Sequence, residues 1–522
     1  MEVIVDVGPL SPHDVVRVAR EGARVTIGPE AREAILRARK HVDDLAASDT
    51  PVYGVSTGFG ALANRHIEPQ QRTRLQKSLI RSHAAGTGPR VEDEVVRALM
   101  LLRLSTMCTG HTGVRLTTAE AYANMLNAGL SPVVLEHGSL GCSGDLAPLA
   151  HCALAVMGEG EVVDRDVVRP AAEALAEHGL EPVELAEKEG LALINGTDGM
   201  LGMLVLAIHD LRGLLDMADL SAALSIEGLM GTDRVLAPDL QALRPHPGQA
   251  TSAAHMAALL AGSPIVASHR HGDDRVQDAY SMRCAPQVHG AARDTVEHAA
   301  TVAGRELAAA IDNPSVLDDG RLESHGNFHG APLAYVLDFL AIVIADVASM
   351  SERRTDRFLD ANRNHGLPPF LAHDPGVDSG LMIAQYTQAA MVSELKRLAA
   401  PASVDSIPSS AMQEDHVSMG WSSARKLRRA VDDLTRVLAI EMMTAARGVE
   451  LRAPLQPAAA TGAAIAALRE KVRGPGPDRF LAPDIEAATE LVRSGALVDA
   501  TVHMTDSVRG HMTDSVRGRE ET

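Results

Sequence analysis

The feature that most constrains how this chain can fold is a set of long apolar stretches carrying only sparse charges. One runs from about Leu201 to Gly231, and others occupy 331–351, 381–399 and 422–452. Each is far longer than a β-strand, which rarely passes about ten residues. Ala, Leu and Met recur in all of them, and these residues head the helix-propensity ranking. Polar loops containing Gly and Pro separate the stretches. The pattern predicts an all-α protein: a central bundle of long helices with a smaller mixed N-terminal region. Aromatic residues make up 2% of the chain, with a single Trp, so Ala, Leu, Val and Met must fill the core.

The texture divides the chain into four parts. Residues 1–200 read as mixed structure. Ser11-Pro12 starts a helix, with Ser as N-cap and Pro at the first helical position. A short strand at Val25–Ile27 and a helix from about Pro29 to Ala46 follow, then a Gly-rich loop, YGVSTGFG, at 53–60. Helical character resumes at Val91 in VEDEVVRALMLLRLSTM. Residues 201–452 hold the long helices. In 453–500, Pro454, Pro457 and the run Gly474-Pro475-Gly476-Pro477 punctuate two short helices. The tail, 501–522, repeats HMTDSVRG in tandem; two copies are too few for a solenoid and read as a local duplication, expected to be mobile.

Several function classes fit poorly. The net charge of −19 argues against nucleic acid, whose phosphates are held by Lys and Arg. The greasiest run, 331–350, contains Asp338 and Asp346, which would be costly at membrane depth, so a buried core helix is expected. The four cysteines, Cys108, Cys142, Cys152 and Cys284, form no closely spaced framework, which fits a reducing, cytoplasmic setting. MEVIVDVGPLSPHD lacks the basic and apolar regions of a signal peptide. SHRHGDD groups His269, His271, Asp273 and Asp274, but such a polar loop more often meets water than metal, and no metal is expected.

The most informative segment is GSLGCSGDLAPLAH, residues 138–151. It is not a G-x-S-x-G nucleophile elbow, because Asp145 falls where the second Gly is needed. It lacks the papain-type C-G-S-C-W and the Lys of a phosphate loop. On its own it reads as a Gly-rich turn before a helix. It resembles, however, the signature of the aromatic amino acid ammonia-lyase and aminomutase family, in which a small residue-Ser-Gly tripeptide precedes D-L-A-P-L. In that family the tripeptide cyclises to 4-methylidene-imidazole-5-one (MIO). The resemblance implies that Gly144 N attacks the carbonyl of Cys142, for which glycine gives the needed bend. Ser143 supplies the hydroxyl whose loss leaves the exocyclic methylene. Cys142 stands where Ala is commoner, and its side chain should only project from the ring.

Further blocks, spread over roughly 3–498, carry the resemblance: YGVSTGFG with Tyr53, SHAAGTGPR with His83, EGLALINGTDGM with Asn195, VQDAYSMRCAPQVHG with Gln277, Tyr280 and Arg283, GNFHG with Phe328, and SSAMQEDHVSMGW with Glu414. Ser56, Asp198, Ala279 and Met412 replace residues commoner in the family. The implied roles follow. Tyr53 is the base for the β-proton, and Tyr280 assists elimination at the MIO. Arg283 holds the substrate carboxylate. Asn195 hydrogen-bonds the MIO or the amino acid, Gln277 supports the same polar wall, and Phe328 packs over the electrophile or ring. His83 and Glu414 address an imidazole. His83 and Met382 replace residues typical of phenylalanine-type sites, so L-histidine is the favoured substrate. The resemblance also implies a carbon–nitrogen lyase without metal or added coenzyme. It implies a homotetramer whose active sites each draw on three chains, with the Tyr280 and Phe328 blocks reaching the MIO of a neighbour. The competing readings are a phenylalanine or tyrosine lyase, an aminomutase, an inactive helical scaffold, and a thiol enzyme using Cys142.

Overall fold

A computed structural model describes residues 2–47, 67–273 and 275–505. The fold is all-α, as expected. Its long helices are Asp198–Gly228, Ala285–Leu307, Ala331–Leu359, Met382–Leu398 and Gly420–Glu450. Strands are short, none exceeding four residues among the described ones. The chain forms two compact units, 1–208 with 299–338 and 401–426, and 209–298 with 339–400 and 427–522. Four of the five division points fall inside long helices.

The first unit begins with a small βαβ motif. Glu2–Val5 pairs in parallel with Arg24–Ile27 across the helix Pro12–Arg20. Ser11 caps that helix, its Oγ accepting from Asp14 N at 3.1 Å. The helix Asp93–Cys108 is buried on all faces from Ala98 onward. Arg103 lies in this apolar surrounding with no exposure, so its guanidinium must find partners inside. It donates to the Asn195 carbonyl at 2.8 Å and to the Ile311 carbonyl at 2.6 Å. Trp421 is also buried, and its Nε1 donates to Glu136 O at 2.7 Å. Asp338, on the most apolar helix, is buried and held by Lys426 at 2.6 Å and Ser423 at 2.9 Å. That helix, Ala331–Leu359, is long and apolar enough to cross a membrane, but 61% of its apolar window is buried within the protein.

The second unit is stitched by buried polar groups between helices. Glu441 meets Arg354 (Nη2 to Oε2 2.9 Å) and also accepts from Ser221 at 3.0 Å and Ser225 at 2.8 Å. Three long helices thus meet on one carboxylate. Asp219 binds His289 at 2.8 Å and Arg293 at 2.6 Å, tying Ala285–Leu307 to Asp198–Gly228. The helix Ala285–Leu307 is an addition to the four long helices expected. Arg293, Asp294, Glu297 and His298 dilute its apolar stripe, and only the packed structure reveals which face is inside. The four expected helices begin or end within a few residues of their anticipated limits, except that Ala331–Leu359 continues well beyond 351.

Candidate active site

Residues 138–145 form a tight loop between the strand Leu135–His137 and the helix Leu146–Val156. Gly138, Gly141 and Gly144 all have positive φ, of 153°, 65° and 76°. At Gly144 the need is also steric: a Cβ there would lie 2.1 Å from the Gly196 carbonyl oxygen. Three separate segments grip the loop. Asp145 N donates to Gly196 O at 2.7 Å, Gly330 N to Gly141 O at 3.0 Å, and Met419 N to Leu140 O at 2.9 Å. Ser418 Oγ adds a second bond to Gly141 O, at 2.7 Å. Asp145 pins the loop to the start of the helix Asp198–Gly228. Its carboxyl accepts from Gly199 N at 3.0 Å, Met200 N at 2.9 Å and Ser139 Oγ at 3.0 Å. Complete burial nevertheless pushes that carboxyl up to about 7.

Glu414 reaches this loop from a strained turn. Ser409 N donates to Glu414 O at 2.8 Å and Glu414 N to Ser409 O at 3.3 Å. Between them Ser410, Ala411 and Met412 all have left-handed φ, of 50°, 54° and 70°. Non-glycine residues avoid that region, so the fold must hold the turn in place. The result is a carboxylate that spans the tripeptide: Ser143 Oγ donates to Oε1 at 3.2 Å, and Cys142 Sγ donates to Oε2 at 3.3 Å. Ser409 Oγ also donates to Oε2, at 3.0 Å. Burial, aided by the adjacent Glu414 charge, pushes the Cys142 thiol up to about 11. At neutral pH it is a thiol and not the thiolate a thiol enzyme needs.

Asn195 is buried one residue before Gly196. Its Nδ2 donates to Asn313 O at 3.0 Å, while Arg103 holds its carbonyl. Arg103 therefore fixes Asn195 from behind, a residue whose importance the sequence reading missed. The signal was present: an arginine at the centre of an otherwise apolar helix. His83 ends the helix Pro69–His83, and its Nδ1 lies 2.9 Å from Leu79 O. A carbonyl only accepts, so Nδ1 carries a proton and Nε2 is the ring nitrogen left to face elsewhere. Nearby, Gly86 N donates to Nε2 of His151, on the helix that follows the tripeptide, at 3.1 Å. Phe328 is partly buried, on the loop whose Gly330 N–H meets Gly141 of its own chain. The next residue, His329, stacks on His416 with centroids 5.7 Å apart.

Gln277, Tyr280, Arg283 and Met382 belong to the second unit. Tyr280 heads the short helix Tyr280–Arg283 and is exposed, and the Arg283 guanidinium carbon lies 4.7 Å above its ring. Arg283 has no carboxylate partner among the described residues, and its Nε is buried without a hydrogen bond. Ser281 O accepts from Arg354 at 3.0 Å, so the buried Arg354–Glu441 pair also braces this helix. Gln277 is exposed, and Met382 is partly buried at the start of its helix. Tyr53 and Ser56 lie outside the described residues.

In the His/Asp loop, both nitrogens of His269 face carbonyls, Ile265 O and Gly231 O, each at 3.0 Å. Asp273 is paired with Arg275 at 2.6 Å, and Asp274 lies outside the described residues. Asp216, Asp219 and His255 come close enough to hold a metal, a grouping the sequence did not suggest. The Arg293 guanidinium already donates to both carboxylates, at 2.7 and 2.6 Å. The tripeptide itself fits the MIO group. Its glycine has no room for a side chain, its serine hydroxyl touches a carboxylate, and its first side chain is held aside.

Residues 10–470 match the aromatic amino acid lyase family. Proteins named histidine ammonia-lyase from Streptomyces avermitilis and Streptomyces griseus are each 66% identical to the chain, over 505 and 507 residues, covering 96% of it and 99% of each relative. The crystal structure of histidine ammonia-lyase from Trypanosoma cruzi is 39% identical, with a TM-score of 0.89 and coverage of 97% of this chain and 96% of that one. A tyrosine aminomutase structure from Streptomyces globisporus is 37% identical, with a TM-score of 0.91 and coverage of 97% and 99%.

Proposed function

The chain belongs to the aromatic amino acid lyase family and is a carbon–nitrogen lyase, and from that premise we propose that it eliminates ammonia from L-histidine to give trans-urocanate, the first step of histidine degradation. The observation that carries the choice of substrate is the 66% identity, over nearly the whole chain, to relatives named for histidine.

Residues 142–144 would form the MIO group, whose electrophilic methylene would make the substrate's amine a better leaving group. The chain's own residues bind and move protons. Arg283, with no described carboxylate beside it, receives the substrate carboxylate in a bidentate pair. His83 meets the substrate imidazole with its Nε2, the Nδ1 being held at Leu79 O. Glu414 accepts from the imidazole once the serine hydroxyl has gone. Tyr53 takes the β-proton, and Tyr280 assists at the leaving amine. Asn195, held by Arg103, orients the amino acid, with Gln277 on the same polar wall. Phe328 closes over the ring, and Met382 keeps its end of the site apolar. A homotetramer with shared sites is supported by Tyr335, Phe339 and Ile342, exposed at helical spacing on Ala331–Leu359. Four free cysteines suit a cytoplasmic setting.

The test is a panel of L-histidine, L-phenylalanine and L-tyrosine with the purified protein, read by ultraviolet absorbance and product analysis. Urocanate at a kcat/KM well above that for the other two is expected. A cinnamate-type product, or a β-amino acid, as the main product would replace this reading with another reaction of the family.

A further inference from the structure

We propose that Glu414 also matures the tripeptide, carrying the protons that Ser143 exchanges as it loses its hydroxyl. The inference rests on the MIO reading above and adds a second duty to a residue assigned there only to the substrate.

The support is geometric. Glu414 Oε1 accepts from Ser143 Oγ at 3.2 Å, and Oε2 accepts from Cys142 Sγ at 3.3 Å. Among the described residues it is the one carboxylate hydrogen-bonded to that hydroxyl. Asp145, although adjacent in sequence to Gly144, is turned away: its two oxygens are taken by Ser139, Gly199 and Met200. The turn 409–414 is held in left-handed backbone at three consecutive non-glycine residues, and such strain persists only where the surrounding structure enforces it. Here it delivers one carboxylate to one hydroxyl 271 positions away.

The chemistry needs such a group. Ring closure by Gly144 N at the Cys142 carbonyl releases one water, built from that carbonyl oxygen and the amide protons of Gly144 and Ser143. The second water must come from Ser143. Its Cα–H and Cβ–Oγ bonds break, and a Cα–Cβ double bond forms. Hydroxide is a poor leaving group, so Oγ must gain a proton as it departs. Glu414 accepts the Cα proton and gives a proton to Oγ, so the existing hydrogen bond reverses its direction. The carboxylate is regenerated, one water leaves, and no oxidant or added reactant is consumed. The Cys142 thiol holds Oε2 and exchanges nothing.

Intact-mass measurement on denatured full-length proteins tests this without reference to activity. The wild type is expected two waters lighter than its encoded mass. A wild type at its encoded mass would remove the tripeptide reading itself, a different failure from that of the Glu414 proposal. Glu414→Gln, with helical content checked by circular dichroism, is expected at its encoded mass or one water lighter. A Gln variant two waters lighter overturns the proposal. Glu414→Asp keeps a carboxyl on a shorter arm and decides the matter if the Gln variant does not fold. Its loss of mass after pulsed expression should be slowed by at least about tenfold, since a positioned proton-transfer group contributes about 10²–10⁴-fold. Maturation at the wild-type rate would refute the role. Cys142→Ala should reach the doubly dehydrated mass, and arrest at its encoded mass would move the role to the thiol.

Discussion

At the scale of single residues, each member of the tripeptide has a separate physical burden. Gly144 must be bare, because a Cβ would fall 2.1 Å from Gly196 O on a backbone already at φ 76°. Gly144→Ala is therefore expected to lose all detectable lyase activity and to lower the melting temperature. Cys142 is different. Its thiol is raised to about 11 and so stays protonated, and Cys142→Ala should keep kcat within a few-fold of wild type. Met412 stands at φ 70° where the family commonly has Asn, a residue better suited to left-handed backbone. Met412→Asn should raise stability by up to about 1 kcal/mol in urea unfolding, because left-handed backbone costs an L-residue about 1–2 kcal/mol and Asn tolerates it better. Asp145 carries a pH dependence. Its carboxyl moves from 3.8 up to about 7 on folding, so between those values the folded chain holds the extra proton. The stability it contributes is full below about pH 4 and declines as pH rises toward 7. The difference in unfolding free energy between wild type and Asp145→Asn should shrink from pH 5 to pH 8, and a growing difference would contradict the assignment. Resemblance to the family, and not local pattern, singled out the tripeptide and Glu414, and neither could bring them together, because no local periodicity reports a contact across 271 positions. Sequence pattern likewise could not reveal Arg103 bracing Asn195, which depends on how two buried segments cross.

At the scale of elements, the helices legible in sequence were those whose apolar stripe is broad, such as Asp198–Gly228. Ala285–Leu307 was missed because its inward face carries His289 and Arg293, polar groups whose partners come from another helix. Buried polar contacts of this kind fix how the helices register. Arg354 and Glu441 are both fully buried, and Arg354 also holds Ser281 O beside Tyr280 and Arg283. Arg354→Met leaves an uncompensated carboxylate and should cost about 3–5 kcal/mol in denaturant unfolding. Because the Tyr280–Arg283 helix loses its brace, the KM for the amino acid should rise as well. An unchanged KM at reduced stability would confine Arg354 to a purely structural part.

At the scale of the whole molecule, fold class was readable because long helical stretches dominate the chain, and the family was readable because its blocks keep their order from end to end. Assembly and substrate enter as proposals through resemblance, since the residues that would decide them fall in separate blocks and Tyr53 lies outside the described residues. The central claim is that Ser143, through its lost hydroxyl, makes this chain a lyase for histidine. Ultraviolet detection of urocanate from L-histidine, with metal-free wild type beside Ser143→Ala, tests it most directly. The expected result is steady urocanate formation by the wild type and none by an equally folded variant. No urocanate from the wild type, or equal rates from both proteins, would contradict it.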